Sequence, residues 1–296
     1  MTEWDGRGLP PAAAARMARS RADGVRTSLL DVPGMVSAAQ VGLPHVGEVM
    51  GCIVEHIGWQ GFRGCGYGGF GTTFAATVTS GAGRAFAGFA PYVDALHRGY
   101  DTAIGRMLTE AQAMGADGVI GVRLTVQHLG QGNREFVALG TAVRAESPVH
   151  PDRPFVTDQA GADVAKLLHA GWVPASIAIG ISVAIRHDDR RTRSQASRWA
   201  GNTEVDGYTE LLTHVRADAR RRFADHAARS GADGAIVSSM GLHVHEREPG
   251  EGHVDHVAES TVVGTTLARF HRGSTPPTRA LTVLPLRRAR PNWSTR

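Results

Sequence analysis

Two stretches of the chain change their hydrophobic period in the same way. From Pro91 to Met114 the apolar positions Val93, Leu96, Tyr100, Ile104, Met107, Leu108 and Ala111 form one stripe. That spacing predicts an amphipathic helix about 35 Å long at ~1.5 Å per residue. Pro91 suits its first turn, and Gly115 suits its left-handed end. The period then drops to two: Ile120, Val122, Leu124 and Val126 alternate with Gly121, Arg123, Thr125 and Gln127, as in a half-buried strand. The pattern returns 116 residues later. Leu211, Leu212, Val215, Ala219, Phe223 and Ala227 give the helical stripe, Gly231 its end, and Ile236, Met240, Leu242 and Val244 the strand. Both exits read Gly-Ala-Asp-Gly, and Tyr92 and Tyr208 keep the same offset.

Each predicted strand runs into a glycine-bearing turn, "LGQGN" or "EPGEG", and a return strand, "REFVALGTAV" or "ESTVVGTTLA". Gly140-Thr141 and Gly264-Thr265 match at offset 124, so the second hairpin is eight residues longer. Upstream, "GEVMGCIVEHIG" from Gly47 and "GWVPASIAIGIS" from Gly171 also align at offset 124, both as strands. Short helices are predicted over Ser37–Leu43 and Ala162–His169, and strands near Thr27–Leu30 and Phe155–Thr157. The fold expected is α+β: two tandem units, each a mostly antiparallel sheet with one long helix on it. The division expected is an N-terminal extension over 1–26, mobile, units over 27–147 and 148–270, and a basic tail over 271–296. The Gly-Ala-Asp-Gly turn leads from helix to strand. A phosphate cradle needs the opposite order, so this turn is structural. Asp117 and Asp233 then read as Asx-type turn residues.

Composition narrows the classes. Lys166 is the only lysine beside many arginines, and the net charge of +4 is concentrated in Arg186–Arg198 and the tail. The tail carries six arginines and no acid, which keeps nucleic acid open, but no aromatic platform accompanies it, so nucleic acid is disfavoured. Two cysteines, Cys52 and Cys65, make no secreted disulfide framework. The most apolar run, Val173–Ile185, is shorter than the ~20 residues of a spanning helix. The chain reads as cytoplasmic, with no membrane partner.

"GEVMG", the long helix, "AQAMGADGVIGVRL" and "VALGTAVRAE" resemble the YbjQ-like family, labelled heavy-metal-binding. "GWVPASIAIG", "AARSGADGAIVSSM" and "VVGTTLA" resemble a diverged second copy. The resemblance covers about Gly47–Glu146 strongly and Gly171–Phe270 more weakly. It implies small α+β domains that assemble as homo-oligomers, in pentameric rings, with no enzyme activity and no fixed ligand set. This chain departs from it where "GRAFAGFAP" and "NTEVDG" replace the glycine-rich entry to the long helix, and in its fused second copy.

The best metal candidate is "HVHEREPGEGHVDH". His243 and His245 share a strand face. A hairpin pairing His245 with His253 would set His243 opposite Asp255, with cross-strand Cβ atoms ~5 Å apart. Three imidazoles and a carboxylate would then suit Zn²⁺, Ni²⁺ or Cu²⁺. A one-residue slip brings His256 opposite His243 instead and scatters the set. The plain alternative is a solvated hairpin tip. Cys52 and His56 share another face, with Cys65 in a loop, and a small buried cysteine is the simpler reading. The loop over 61–71 holds Gly64, Gly66 and Gly69 in Gly-x-Gly-x-x-Gly spacing, but β-branched residues follow where a dinucleotide site needs a helix. No triad, carboxylate dyad or P-loop is present. The function expected is a non-enzymatic, oligomeric, metal-binding YbjQ-like protein. The alternatives are a scaffold without metal and a small-molecule enzyme using the loop around Cys65.

Overall fold

The computed structural model describes residues 8–24, 26–57, 87–88, 90–250 and 253–269. Cys65, the glycine-rich loop and the basic tail lie outside them. The elements are α1 (Pro11–Asp23), α2 (Val32–Gln40), β1 (His45–His56), β2 (Ala87–Gly88), α3 (Ala90–Ala113), β3 (Gly118–Gly130) and β4 (Asn133–Val143). There follow β5 (Phe155–Val156), α4 (Gly161–His169), β6 (Trp172–His187), α5 (Arg190–Gln195), α6 (Asp206–Arg229), β7 (Gly234–Gly250) and β8 (His253–Arg269). The first sheet has the order β1-β4-β3-β5 and the second β2-β6-β8-β7. Both are antiparallel except where β5 runs parallel to β3. The α+β class expected from the periodicity is the class observed.

The two long helices end where the sequence places the exits, with Gly115 and Gly231 both at φ 72°. The following aspartates do more than shape a turn. The Asp117 carboxylate accepts the Ala145 amide at 2.7 Å, and Asp233 accepts the Arg269 amide at 2.9 Å. Their own amides donate to the Val143 and Leu267 carbonyls. Each aspartate therefore ties the start of one strand to the end of the return strand.

The upstream strands match at an offset other than 124. A Cβ on Gly51 would collide with the Ala103 carbonyl and the Met107 amide, and one on Gly180 with the Ala219 carbonyl and the Phe223 amide. Gly51 therefore corresponds to Gly180, an offset of 129. Likewise Met50 donates its amide to Glu110 (2.8 Å), and Ile179 donates its amide to His226 Nδ1 (3.2 Å). Gly171 corresponds to Gly42: each follows a short helix, at φ 79° and 76°. Two helix-ending glycines are interchangeable to a sequence alignment with a strand glycine, which is why the pairing slipped by five.

Two further local readings change. Helix α2 begins at Val32, because the Asp31 side chain accepts the Gly34 amide at 2.8 Å and Pro33 fits the first turn. Residues 27–30 form no strand; the Leu29 amide donates instead to Thr141 Oγ1 at 2.9 Å. Within the extension, α1 buries Met17, and Arg16 forms an ion pair with Glu110.

The layers stack as first sheet, α3, second sheet, α6. One core joins Val49, Phe136 and Ala138 of the first sheet, Val93, Leu96 and Met107 of α3, and Ile177, Ile179, Ile181, Val183 and Ile185 of β6. The other face of the second sheet packs Ala178, Ala184, Ala258 and Val262 against Leu211, Val215, Ala219 and Phe223 of α6. Each fully buried branched side chain contributes roughly 1.5–3 kcal/mol of transfer free energy, so the row of four isoleucines and Val183 is a major source of adhesion at this joint.

Candidate functional site

The joint between the sheets carries a buried polar cluster. His128 and Arg134 face each other across β3 and β4, and His243 and Glu259 across β7 and β8. Tyr92 enters from the first turns of α3. Arg134, buried, donates to Glu259 Oε1 and Oε2 at 3.0 and 3.1 Å and also to the Tyr92 hydroxyl. Tyr92 in turn donates to Glu259 Oε2 at 3.0 Å. Burial and the Glu259 charge push the Tyr92 hydroxyl well above the usual phenol range, and burial raises Tyr100 to about 12. The protonated Tyr92 hydroxyl is the donor to Glu259.

Three imidazoles line the edge of this cluster. The rings of His128 and His243 lie 5.5 Å apart and those of His243 and His245 5.6 Å apart, centroid to centroid. Burial, then the Arg134 cation and the neighbouring His243 ring, lower the His128 basicity; burial and the neighbouring His243 ring lower that of His245. The row joins the first unit to the second.

A second cluster sits further along β6, β7 and β8. His256 Nδ1 lies 3.2 Å from Asp188 Oδ1 and Nε2 3.3 Å from Glu246 Oε1. Tyr208 stacks on the His256 ring at 4.2 Å and donates its hydroxyl to Asp188 Oδ2 at 3.0 Å. Arg186 pairs with Glu210 at 3.1 Å, and Asp189 caps α5 through the Thr192 amide at 2.7 Å. The basic segment 186–198 is thus partly neutralised by its own chain. Neither cluster lines the 690 Å³ cavity between α1 and the first unit (Arg16, Arg19, Arg26, Glu48) or the 380 Å³ cavity beside α6.

The hairpin register differs from the expected one. His245 pairs with Val257, His243 with Glu259, and the turn closes at Gly250 and His253. Strands β7 and β8 run on through Glu246 and Arg247, with a bulge before Gly250, where the sequence pattern suggests a wider turn. His243 and Asp255 therefore stand four rungs apart, about 13 Å at ~3.3 Å per residue. The register therefore pairs neither His243 with Asp255 nor His245 with His253. His256 is held by Asp188 and Glu246, and Asp255 is buried at a rung shared with Arg247. Among the described residues, no three His, Cys, Asp or Glu side chains are arranged to hold a metal ion. Cys52 is a half-buried free thiol, and His56 Nδ1 engages Asn133 Oδ1 at 3.1 Å. The sequence reading missed Arg134, Glu259 and His128. The usable signal was Glu259 within the apolar run "HVAESTVVG", a charge that burial obliges to find a partner.

A family model described as "Putative heavy-metal-binding" matches residues 68–146. The chain is 30% identical over 275 residues to the encapsulin nanocompartment protein Rv1762c of Mycobacterium tuberculosis, covering 90% of this chain and 94% of that protein. Shorter matches are to a UPF0145 protein of Halorubrum lacusprofundi, 45% identical over 53 residues, 18% of this chain and 51% of that protein. Another, of Clostridium perfringens, is 46% identical over 52 residues, 18% of this chain and 49% of that protein. The first of these likenesses runs nearly end to end, and the shorter ones span about half of each relative. The chain belongs to the YbjQ-like family.

Proposed function

We propose that this protein is a non-enzymatic, cytoplasmic homo-oligomer, in which units over 27–147 and 148–270 are assembly modules and rings, pentameric or otherwise, are the product. The observation that carries this reading is how the buried ionisable groups are used. Arg134, Glu259 and Tyr92 satisfy one another across the joint between units instead of lining a cleft. The name of the full-length relative, a nanocompartment protein, supports assembly. Among the described residues, no helix is long and apolar enough to cross a membrane. Light scattering of the purified chain tests it: a particle of several times 31.4 kDa is expected, and a monomer at micromolar concentration contradicts it.

As a second reading, a transition metal such as Zn²⁺, Ni²⁺ or Cu²⁺ binds the row His128, His243 and His245 after the exposed rings turn inward. The row favours it because the rings of His128, His243 and His245 follow one another at 5.5 and 5.6 Å, and the lowered basicity of His128 and His245 favours their neutral, ligating form. Titration of untagged protein with Zn²⁺ is expected to show stoichiometric binding that the pair His128→Ala and His243→Ala abolishes. Unchanged binding in that variant puts the metal at other residues, and no binding in the parent leaves a scaffold without metal.

A further inference from the structure

The joint inside the chain is not symmetric. Ahead of α4, residues 155–159 of the second unit add to the outer edge of β3 in the first. Phe155 and Thr157 donate their amides to the Asp117 and Val119 carbonyls, both at 3.0 Å. Val122 and Gly121 donate theirs to the Thr157 and Gln159 carbonyls, at 3.0 and 2.9 Å. The isoleucine face of β6 then covers α3, and α4 packs on α2 so closely that a Cβ on Gly161 would strike the Gly34 carbonyl. The second unit gives a segment, a sheet face and a helix; the first receives them.

The correspondence between units locates the same surfaces at the two ends of the chain. By the offset of 129, the giving segment is 26–30, the giving sheet face is Glu48, Met50, Cys52, Val54 and His56, and the giving helix positions are Val32 and Val36. Their counterparts Gly161, Ala165, Ile177, Ile179, Ile181, Val183 and Ile185 are buried. In the first unit Val32 is 68% exposed, Val54 55%, Val36 47% and Met50 37%. The receiving surface recurs at β7. It is an edge strand with no described strand on its outer side, and Val237, Met240 and Val244 are exposed on it. Both edges carry a bulge, in β3 beyond Ile120 and in β7 beyond Val237, although Gly121 is left-handed at φ 62° where Val237 is not. Met240 stands where Leu124 packs against the joint core. Of the ten large apolar side chains exposed among the described residues, seven lie on these two surfaces. Paired edges and patches of this kind are unusual on a monomer.

We propose that a second copy of this chain covers them head to tail. Residues 26–30 of one chain add a strand to the β7 edge of the next, and the outward face of the first sheet covers α6. The contact is more polar than the internal one. Helix α6 presents Arg216 and Arg220, exposed, where α3 has Tyr100 and Ile104, and the sheet presents Glu48 where β6 has Ile177. Glu48 is opposite in charge to those arginines, but it already lies 3.8 Å from Arg16 of its own chain, so the match is partial. Val32 in place of Gly161 also sets the helix pair further apart. A heterologous contact of this type closes into a ring or grows into a filament.

This inference rests on the homo-oligomer reading, and complementary variants separate the two. One chain carries Val36→Asp and Val54→Asp at the giving end; another carries Val237→Asp and Met240→Asp at the receiving end. All four positions are solvent-exposed, and circular dichroism with thermal melting checks that both variants stay folded. Native mass spectrometry is expected to find each variant alone at one chain mass. Their equimolar mixture is expected to give one new species at twice 31.4 kDa, since a single intact contact remains. If either variant alone assembles like the parent, or the mixture stays monomeric, the head-to-tail contact is overturned while oligomerisation stands. If the parent itself is a monomer, the homo-oligomer reading fails, and this contact with it.

Discussion

At the residue scale the polar groups act as fasteners, and each can be removed singly. Arg134 and Glu259 have side chains 8% and 13% exposed. Arg134→Ala leaves a carboxylate buried without its cation, so a loss of about 3–5 kcal/mol is expected in urea unfolding. A loss below about 1 kcal/mol would put the pair in the class of solvated surface bridges. Asp117→Ala is expected to destabilise more than Asp233→Ala: both tie the return strand, but Asp117 is buried and also engages His150 Nδ1 at 2.9 Å. Equal losses would contradict that ranking. The histidines at the joint set a pH dependence. Burial and neighbouring cations hold His128 and His245 below the ordinary imidazole value near 6.5. As pH falls through that value the unfolded chain takes up protons first. Stability therefore drops there and levels off once the folded rings are protonated. Replacing both histidines with Gln is expected to flatten the urea midpoint between about pH 7.5 and 5.5; an unchanged slope assigns the dependence elsewhere. The aspartates were legible because a repeated Asp after a helix-ending glycine is conspicuous. Glu259 alone carried a signal, as a charge in a strand due for burial; its pairing with Arg134, 125 residues away, has no local signature.

At the element scale, periodicity located both long helices and both hairpins because each element buries only one face. It failed where position depends on a partner. Residues 27–30 look like a strand but have no described sheet edge of their own chain to join, whereas 155–159 find β3. The His hairpin register depended on where the turn closes, and Pro249 and Gly250 suggested a wider loop than the strands leave. The close approach of strand and helix at Gly51 and Gly180 is a shared requirement of both units. Gly51→Ala and Gly180→Ala are each expected to cost about 1–3 kcal/mol, by pushing a helix off its sheet. Thermal melts of the two variants check this, and an unshifted melt in either would show that the correspondence at offset 129 lacks a packing role.

At the scale of the whole molecule, duplication explains what composition leaves open. A joint used once inside the chain leaves one giving and one receiving surface unused, and the exposed valines and methionines collect on those surfaces. Of the buried charges, Arg134 reaches across the joint to Glu259, while Arg186, Asp188 and His256 find their partners within the second unit. An experimental structure of the assembled particle, by electron cryomicroscopy, tests the central claim most directly. The rotation and translation that carry the first unit onto the second within a chain are expected to recur between the second unit of one chain and the first unit of the next, with residues 26–30 laid along β7. A particle in which β7 is bare, or in which chains meet about a twofold axis through matching surfaces, would contradict it.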